Sequence, residues 1–316
     1  MPPPQISVPL LRPPAPPPDA TICAISPASF ALDDRFSRGM DRLRTLGFKP
    51  SSAVHTQIRG PLFFAGEPAD RLFDFHTAFT DLDSQIVAAV RGGYGSNYLL
   101  PNLDLELIRR NPKPFFAYSD LTGSQLHLLD RIGLPVFHGP MIAADFYLED
   151  GVHLPSLRAA LTGQPYSLAT AEDLRTLKPG IATGTLYGGC LSIITSLLGT
   201  PWEPNTEGKL LFLEDVGAKP YQIDRMLWQL HTAGKFDNVT GIIFGEMLDC
   251  ASPGAEPDLL DQVILRFFSD FPGPIAIGLR SGHVSRSNVT LTFGVPAQLD
   301  ASEAATLSIL KPAVRV

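Results

Sequence analysis

Cysteine, clustered basic residues and long apolar runs are all scarce in this chain of 316 residues. Its three cysteines are widely spaced without metal-ligand pairing, which indicates neither a disulfide framework nor a zinc site. The formal net charge is −7 and no lysine or arginine cluster opposes it, which argues against nucleic acid or an anionic membrane as a partner. No run of residues reaches the apolar length of a membrane span. These absences favour a cytoplasmic protein whose thiols stay reduced.

The chain divides by composition. Residues 1–20 are rich in proline and lack the basic start and apolar core of a secretory signal, so we predict a disordered, polyproline-like tail. Hydrophobic residues make up 44% of a chain longer than one core usually supports, which favours two domains. The predicted N-terminal domain is 21–155 and the C-terminal domain is 181–316. Prolines and weak periodicity mark 156–180 as the linker.

Apolar runs and helical periodicity alternate through the first half. This rhythm predicts an α/β domain with a mainly parallel sheet covered on both faces. Buried runs in the second half and alternating patterns near the end, which we interpret as half-exposed antiparallel strands, predict a smaller mixed α/β domain. The predicted strands are 21–25, 53–55, 85–90, 115–117, 135–138, 209–213, 239–244, 275–277, 289–293 and 306–310.

The stretch 115–129 has the pattern of a strand, a tight turn and a helix. A serine in such a turn projects its hydroxyl beyond the carboxyl end of the sheet, and the new helix offers free backbone N–H groups. Ser119 is therefore a candidate nucleophile in an elbow that has Ala117 and Leu121 where the familiar form has glycines. The alternative role of a serine before Asp120 is that of a helix N-cap.

The glycine-rich loop 91–97 follows an apolar strand and is expected beside the Ser119 turn. A dinucleotide site is not indicated, because Tyr98 stands where the fingerprint needs its third glycine. No glycine-rich segment carries the lysine of a phosphate-binding loop either, so no cofactor is predicted. The loop can supply unhindered N–H groups as half of an oxyanion hole, or it can be a tight turn that needs glycine.

A serine nucleophile needs a base, and the base needs a group that orients it. Of the seven histidines, His283 follows an apolar strand in a glycine-containing loop, and His138 also follows a strand. Glu214 and Asp215 close another strand. Spacing alone does not choose between these two acids, nor decisively between the two histidines.

Many ordered strings of this sequence resemble the LD-carboxypeptidase family of serine peptidases, the muramoyltetrapeptide carboxypeptidases of cytoplasmic murein recycling. The resemblance covers nearly all of the chain after the proline-rich tail. The strings include Arg91-Gly92-Gly93-Tyr94-Gly95, Tyr118-Ser119-Asp120-Leu121-Thr122, His138-Gly139-Pro140, Gly184-Thr185-Leu186-Tyr187-Gly188-Gly189, Leu213-Glu214-Asp215 and Gly278 to His283.

The resemblance implies a Rossmann-like N-terminal half and a Ser-His-Glu hydrolase that needs no metal or organic cofactor. By position, Ser119 is the implied nucleophile, Glu214 the orienting acid and His283 the base. The implied reaction releases the terminal D-alanine of a murein tetrapeptide by cleaving an L,D peptide bond. By analogy only, the family also implies a homodimer.

Two departures from the family pattern and five further site residues complete this prediction. Ala117 and Cys190 stand where the family usually has glycine and asparagine. The predicted oxyanion donors are the N–H of Asp120 and a second donor from the Gly92-Gly93 loop. The predicted substrate-binding residues are Arg91, as ligand of the substrate carboxylate, and Tyr94. A structural salt bridge is the alternative role of Arg91.

Two other functions fit the sequence. The same residues would serve a peptidase resembling the microcin C immunity peptidase, which cleaves peptidyl or aminoacyl nucleotides, although the short spacing between serine and glutamate favours the carboxypeptidase. A non-catalytic module whose two lobes close on a small peptide is the alternative from another class. The presence of all three implied catalytic residues argues against it.

Overall fold

The computed structural model describes residues 8–251, 254, 256 and 258–316. These residues form fourteen strands in two sheets, together with eight α-helices. The strands are β1 Thr21–Ile25, β2 Lys49–Ser52, β3 Ile86–Ala89, β4 Phe115–Ala117, β5 Val136–His138, β6 Tyr166–Leu168, β7 Arg175–Lys178, β8 Ile181–Cys190, β9 Lys209–Glu214, β10 Gly241–Gly245, β11 Ile275–Leu279, β12 Leu291–Phe293, β13 Pro296–Asp300 and β14 Thr306–Ile309. The helices are α1 Asp33–Thr45, α2 Pro68–Thr80, α3 Leu105–Arg110, α4 Thr122–Ile132, α5 Leu154–Thr162, α6 Leu191–Ser196, α7 Pro220–Thr232 and α8 Leu259–Phe267.

The first sheet has the order β12-β5-β4-β3-β1-β2. All its pairings are parallel except that of β12 with β5, which confirms the predicted mainly parallel sheet. Strands β3 and β4 are buried along their whole length, as expected of parallel strands with both faces covered. The order of strands reverses between β1 and β3, so the loops that follow these strands diverge and leave a crevice.

The second sheet has the order β6-β14-β13-β8-β9-β10-β11-β7. Its central strands β8 to β11 are parallel and the flanking strands are antiparallel, which confirms the predicted mixed sheet. It nevertheless has more strands than the first sheet. The burial of β14 alternates along the strand, as its sequence pattern predicts.

The two sheets are joined by contacts as well as by the chain. Strand β12 lies late in the sequence but completes the first sheet, where Leu291 pairs with His138. Thr122, at the start of α4, accepts a hydrogen bond of 3.1 Å from the backbone N–H of Cys190 at the end of β8. These contacts set the carboxyl ends of β4 and β9 on either side of a shared interface.

Several local predictions differ from the structure. The strand expected at 53–55 lies at β2 instead, in a polar segment held by its pairing with β1. The expected linker 156–180 contains most of α5 and both edge strands β6 and β7. Strand β12 is fully buried rather than half-exposed, because it closes the edge of the first sheet. Among the described residues, every helix is too short or too polar to cross a bilayer.

The proline-rich segment differs from its prediction in part. Residues 1–7 of the expected disordered tail lie outside the described residues. Residues 8–20 make defined contacts: the N–H of Leu11 donates to the carbonyl of Gly133 at 2.8 Å, and the N–H of Ala15 donates to the carbonyl of Arg315 at 2.9 Å. Proline composition alone does not reveal such pairing with distant backbone groups.

Candidate active site

Ser119 lies in a sharp turn between β4 and α4. Its backbone has φ of +65°, a left-handed conformation that costs a non-glycine residue about 1–3 kcal/mol. The predicted strand, turn and helix are therefore present, and the turn carries strain where the sequence analysis expects an elbow. Ser119 is half-buried, so its side chain remains within reach of a bound molecule.

The turn is tied to the glycine-rich loop through Asp120. The buried carboxylate of Asp120 accepts a hydrogen bond of 2.8 Å from the backbone N–H of Ser96, and the carbonyl of Asp120 accepts one of 2.7 Å from the Ser96 hydroxyl. These two hydrogen bonds, both donated by Ser96, hold the loop and the turn in one arrangement. The sequence analysis assigned a role to the amide of Asp120 but did not anticipate this role of its side chain.

Gly92 makes the closest approach between the loop and the turn. A Cβ atom at Gly92 would lie 2.8 Å from Cβ of Ser119, 3.0 Å from its Oγ and 3.4 Å from the amide nitrogen of Asp120. The next residue, Gly93, has φ of +109°, which side chains rarely allow. Within the described part of the chain, the N–H groups of Gly92 and Gly93 donate to no acceptor. The arrangement leaves donors available next to Ser119, as an oxyanion hole requires.

His283 and Glu214 form a hydrogen-bonded pair at the ends of two strands of the second sheet. Nδ1 of His283 lies 2.8 Å from Oε2 of Glu214, and the backbone N–H of His283 donates to the same oxygen at 3.0 Å. Gly282 permits this contact, because its φ is +92° and a Cβ there would lie 2.6 Å from Cδ of Glu214. With Nδ1–H directed at the carboxylate, the other ring nitrogen is the one free to accept a proton.

The positive charge of protonated His283 and the negative charge of Glu214 stabilise each other. Burial disfavours the charged form of His283, but the carboxylate of Glu214 outweighs it, and the pKa of the imidazole lies above its ordinary value. Burial likewise favours the neutral acid at Glu214, yet the charge and hydrogen bonds of His283 keep the pKa of this carboxyl below its ordinary value. Glu214 is fully buried, whereas the His283 side chain is 20% exposed. The carboxylate can therefore orient the ring while the ring faces a ligand.

Ser119 and His283 line the same cavity, whose volume is about 230 Å³. It lies at the crevice between the loops after β1 and β3, where parallel sheets bind their ligands. Residues of the first sheet's loops form most of its wall, and His283 comes from the second sheet. The other lining residues are Ala31, Leu32, Arg35, Arg91, Gly92, Gly93, Tyr118, Met141, Ala143 and Ala144.

The structure distinguishes the candidates that spacing left open. Both oxygens of Asp215 accept backbone hydrogen bonds of 2.8 Å, from Ser192 and Val216, so this acid is engaged in holding loops. His138 is fully buried, and burial lowers its pKa to about 4. Its Nε2 lies 4.0 Å from Oε1 of Glu214, too far for a hydrogen bond. Glu214 and His283 are the acid and the histidine in direct contact.

Three residues that the sequence analysis missed support His283. The ring of Tyr118 meets the His283 ring edge to face with centroids 5.2 Å apart. The amide of Asn288 accepts from the N–H of Gly282 at 3.1 Å and donates to the carboxylate of Asp145 at 3.0 Å. Burial raises the pKa of Asp145 to about 6. The sequence offered only one signal, the position of Tyr118 next to Ser119.

Cys190 belongs to the only group of potential metal ligands found among the described residues. Its thiol, Glu214 and His283 have ligand atoms within 4.8 Å of one another. Burial, reinforced by the charge of Glu214, raises the pKa of the Cys190 thiol well above its ordinary value, which opposes the thiolate that a metal requires. Glu214 and His283 are also already bonded to each other. The chemistry of this cluster suits proton transfer better than metal binding.

The predicted substrate-binding residues divide into two groups. Arg91 lines the cavity. Among the described residues it forms no ion pair with an acid, so the structural salt bridge that was its alternative role is not observed. Tyr94 does not line the cavity. Its ring packs against Phe63 and Phe64 with centroids 5.5 and 5.9 Å away, and 43% of the residue is exposed. The structure therefore brings Arg91, but not the side chain of Tyr94, to the candidate site.

Comparison with protein families identifies both halves of the chain as those of a peptidase. Residues 22–139 match the LD-carboxypeptidase N-terminal domain, and residues 183–299 match the LD-carboxypeptidase C-terminal domain. The chain belongs to the LD-carboxypeptidase family. This confirms the resemblance drawn from the sequence motifs.

Individual relatives carry two kinds of name. The "Probable murein peptide carboxypeptidase" of Bacillus subtilis is 35% identical over 90% of this chain and 89% of its own length. The "Microcin C7 self-immunity protein MccF" of Escherichia coli is 27% identical over 87% of this chain and 88% of its own.

Solved structures similar to this chain also include both a carboxypeptidase and an MccF-like protein. The muramoyltetrapeptide carboxypeptidase of Oxalobacter formigenes has a TM-score of 0.80 at 28% identity and covers 92% of this chain and 98% of its own. An MccF-like protein from Bacillus anthracis has a TM-score of 0.87 at 26% identity, covering 95% and 99%. The two-domain fold is thus common to both kinds of relative.

Proposed function

We propose that the protein is a serine carboxypeptidase that hydrolyses an L,D peptide bond and releases the terminal D-alanine of murein tetrapeptides. The observation that carries the proposal is the 2.8 Å contact of His283 with buried Glu214, on a ring that lines one cavity with Ser119. The names of the murein peptide relatives support the substrate class. In the cell, this reaction would serve the recycling of cell-wall peptides in the cytoplasm.

The first step is attack by Ser119. Nε2 of neutral His283 removes the hydroxyl proton as Oγ bonds to the carbonyl carbon on the L-residue side of the scissile bond. Glu214 accepts the Nδ1–H bond throughout and stabilises the imidazolium that forms. The carbonyl oxygen becomes an oxyanion and receives hydrogen bonds from the amides of Asp120 and the Gly92-Gly93 loop. Each such donor contributes about 3 kcal/mol to lowering the barrier.

The second step releases the products. The imidazolium of His283 donates its Nε2 proton to the amine of D-alanine as the C–N bond breaks, which leaves an acyl ester on Ser119. Water then loses a proton to His283 and attacks the ester, and the same proton returns to Oγ of Ser119 as the shortened peptide departs. Every proton in this cycle is carried by one imidazole.

The small residues that line the cavity are consistent with a small leaving residue, such as D-alanine. Ala31, Ala143 and Ala144 line it together with two glycines, so the space next to Ser119 accommodates a methyl side chain. Arg91 adds a positive charge for a carboxylate. A short apolar wall beside a cation is the environment that a terminal alanine requires.

The decisive experiment is mass-spectrometric detection of one alanine lost from a murein tetrapeptide. The wild-type protein should produce the tripeptide, and the folded Ser119→Ala protein should lose the activity by a factor on the order of 10⁴ or more. Retention of wild-type turnover by Ser119→Ala would refute the assignment of the nucleophile. Stereochemistry is tested with a tetrapeptide that ends in L-alanine, which should not be cleaved.

A second candidate function is cleavage of a peptidyl or aminoacyl nucleotide. The observation that favours it is the TM-score of 0.87 to the MccF-like protein. An aminoacyl sulfamoyl adenylate and the tetrapeptide should be assayed side by side with the same enzyme sample. Higher kcat/KM on the nucleotide would select this second function and refute the first.

A further inference from the structure

In the part of the chain that the structure describes, two arginines and no acidic residue line the candidate cavity. This is a local excess of positive charge in a chain whose net charge is −7. Arg91 comes from the loop after β3, as the sequence analysis anticipated, whereas Arg35 comes from the first turn of α1. Among the described residues, neither guanidinium forms an ion pair with a carboxylate. Two unneutralised guanidinium groups in one cavity indicate an anionic ligand.

Arg35 is held in place by an aromatic ring. Its Cζ atom lies 4.9 Å from the centroid of Tyr147, within the range of a cation–π contact. A cation–π contact of this kind engages the positive charge of the guanidinium rather than its N–H donors. The ring therefore orients Arg35 without consuming its hydrogen-bond donors.

The helix that carries Arg35 is also fixed relative to the opposite wall. Gly39, one turn further along α1, packs so closely that a Cβ there would lie 2.2 Å from the carbonyl oxygen of Ile142. Residue 142 stands between Met141 and Ala143, which line the cavity. Because residues at i and i+4 share a helix face, this contact sets the position of Arg35 against that wall.

We propose that Arg35, together with Arg91, forms a subsite for the free C-terminal carboxylate of the peptide. Planar guanidinium groups bind carboxylates through paired, charge-assisted hydrogen bonds, which gives both affinity and orientation. Such a subsite restricts the enzyme to the last residue of a peptide, since only that residue has a free carboxylate. The proposal rests on the proposed carboxypeptidase function and assigns its selectivity for chain ends to α1.

The test compares a murein tetrapeptide with its C-terminal amide. Wild-type enzyme should prefer the free acid. Arg35→Gln should raise KM for the acid about 10- to 100-fold, leave kcat within about threefold, and change neither constant for the amide appreciably. Arg38→Gln is the matched control, because Arg38 stacks on the same Tyr147 ring at 5.4 Å but does not line the cavity. Its kinetic constants should equal those of the wild type.

A binding measurement separates this proposal from the proposed function. Calorimetry with the Ser119→Ala protein reports affinity for the acid and the amide without turnover. A preference for the acid that disappears when Arg35→Gln is added would support the subsite. Equal binding of the two peptides, or an equal effect of Arg38→Gln, would overturn the subsite even if D-alanine is released. Absence of D-alanine release by the wild type, with the Arg35-dependent acid preference intact, would overturn only the proposed reaction.

Discussion

Replacing Gly92 with alanine should disable the enzyme without unfolding it. The new Cβ would meet Cβ of Ser119 at 2.8 Å, whereas ordinary contacts begin at 3.4 Å, so the two loops must separate by 3.4 − 2.8 = 0.6 Å. A displacement approaching 1 Å at a reacting atom costs about 10²-fold in rate, and an obstructed oxyanion donor costs about 10²- to 10³-fold. We therefore expect kcat/KM for D-alanine release to fall about 10²- to 10³-fold, mainly through kcat.

The fold should survive this change, because Gly92 does not have the left-handed backbone that alanine avoids. Overpacking of this kind destabilises by about 1–3 kcal/mol, which denaturant unfolding measures. Gly123→Ala is the matched control: it lies in the helix after the Ser119 turn, its added Cβ meets nothing closer than 3.4 Å, and alanine favours the helix by about 1 kcal/mol. Full activity of Gly92→Ala would refute the proposed proximity of loop and nucleophile, and an equal loss in Gly123→Ala would show that the effect is not local.

Three further changes test the electrostatics and the core. Because the pKa of His283 is raised and only its neutral form can act as base, kcat/KM should fall as pH decreases through a value above 6.5. In Glu214→Gln the rate should be lower, and the acidic limb of the pH profile should move to lower pH because the carboxylate that raises the pKa is gone. An acidic limb that stays in place would contradict the pairing of His283 with Glu214. His138→Phe should keep kcat within about tenfold, since the ring lies buried among aromatic neighbours; loss equal to that of His283→Gln would make His138 a participant in proton transfer. Tyr187→Phe removes a 2.6 Å hydrogen bond to Asp130 and should lower the free energy of unfolding by about 1–3 kcal/mol in urea titrations, with activity unchanged; undiminished stability would contradict this cost.

The parallel part of the fold was predictable because its strands are continuous apolar runs. Strands β3 and β4 are buried on both faces, and their sequences contain no polar residue that would interrupt the apolar run. Strand β2 is the opposite case, since Lys49 to Ser52 is polar and becomes a strand through its pairing with β1. Strand β13 was missed for the related reason that it begins with Pro296 and owes its order to β8 and β14. Local propensity therefore describes continuous apolar strands better than strands whose order comes from pairing with their neighbours.

The candidate catalytic residues were predictable to a different extent. The elbow at Ser119 follows from local pattern, because strand, turn and helix are consecutive in the chain. Spacing did not choose between Glu214 and Asp215, and the family resemblance implied Glu214. The physical reason is the direction of each side chain at the end of β9, which only coordinates supply. The role of Arg35 depends on the packing of α1 at Gly39, a close backbone contact that leaves no sequence signal beyond a glycine within a helix.

Residues from both halves of the molecule form the surroundings of His283. These surroundings are therefore not evident from the order of residues in the chain. Its own loop belongs to the second sheet, but Asn288, which holds that loop, donates to Asp145 of the first half at 3.0 Å. Three residues later the chain enters β12 and completes the first sheet beside β5. The segment between β11 and β12 thus crosses from one sheet to the other and on the way places His283 at the cavity that Ser119 also lines. Loss of the hydrogen bond between Asn288 and Asp145 should therefore displace His283 without disrupting either sheet, because each sheet keeps its own hydrogen-bonded ladder.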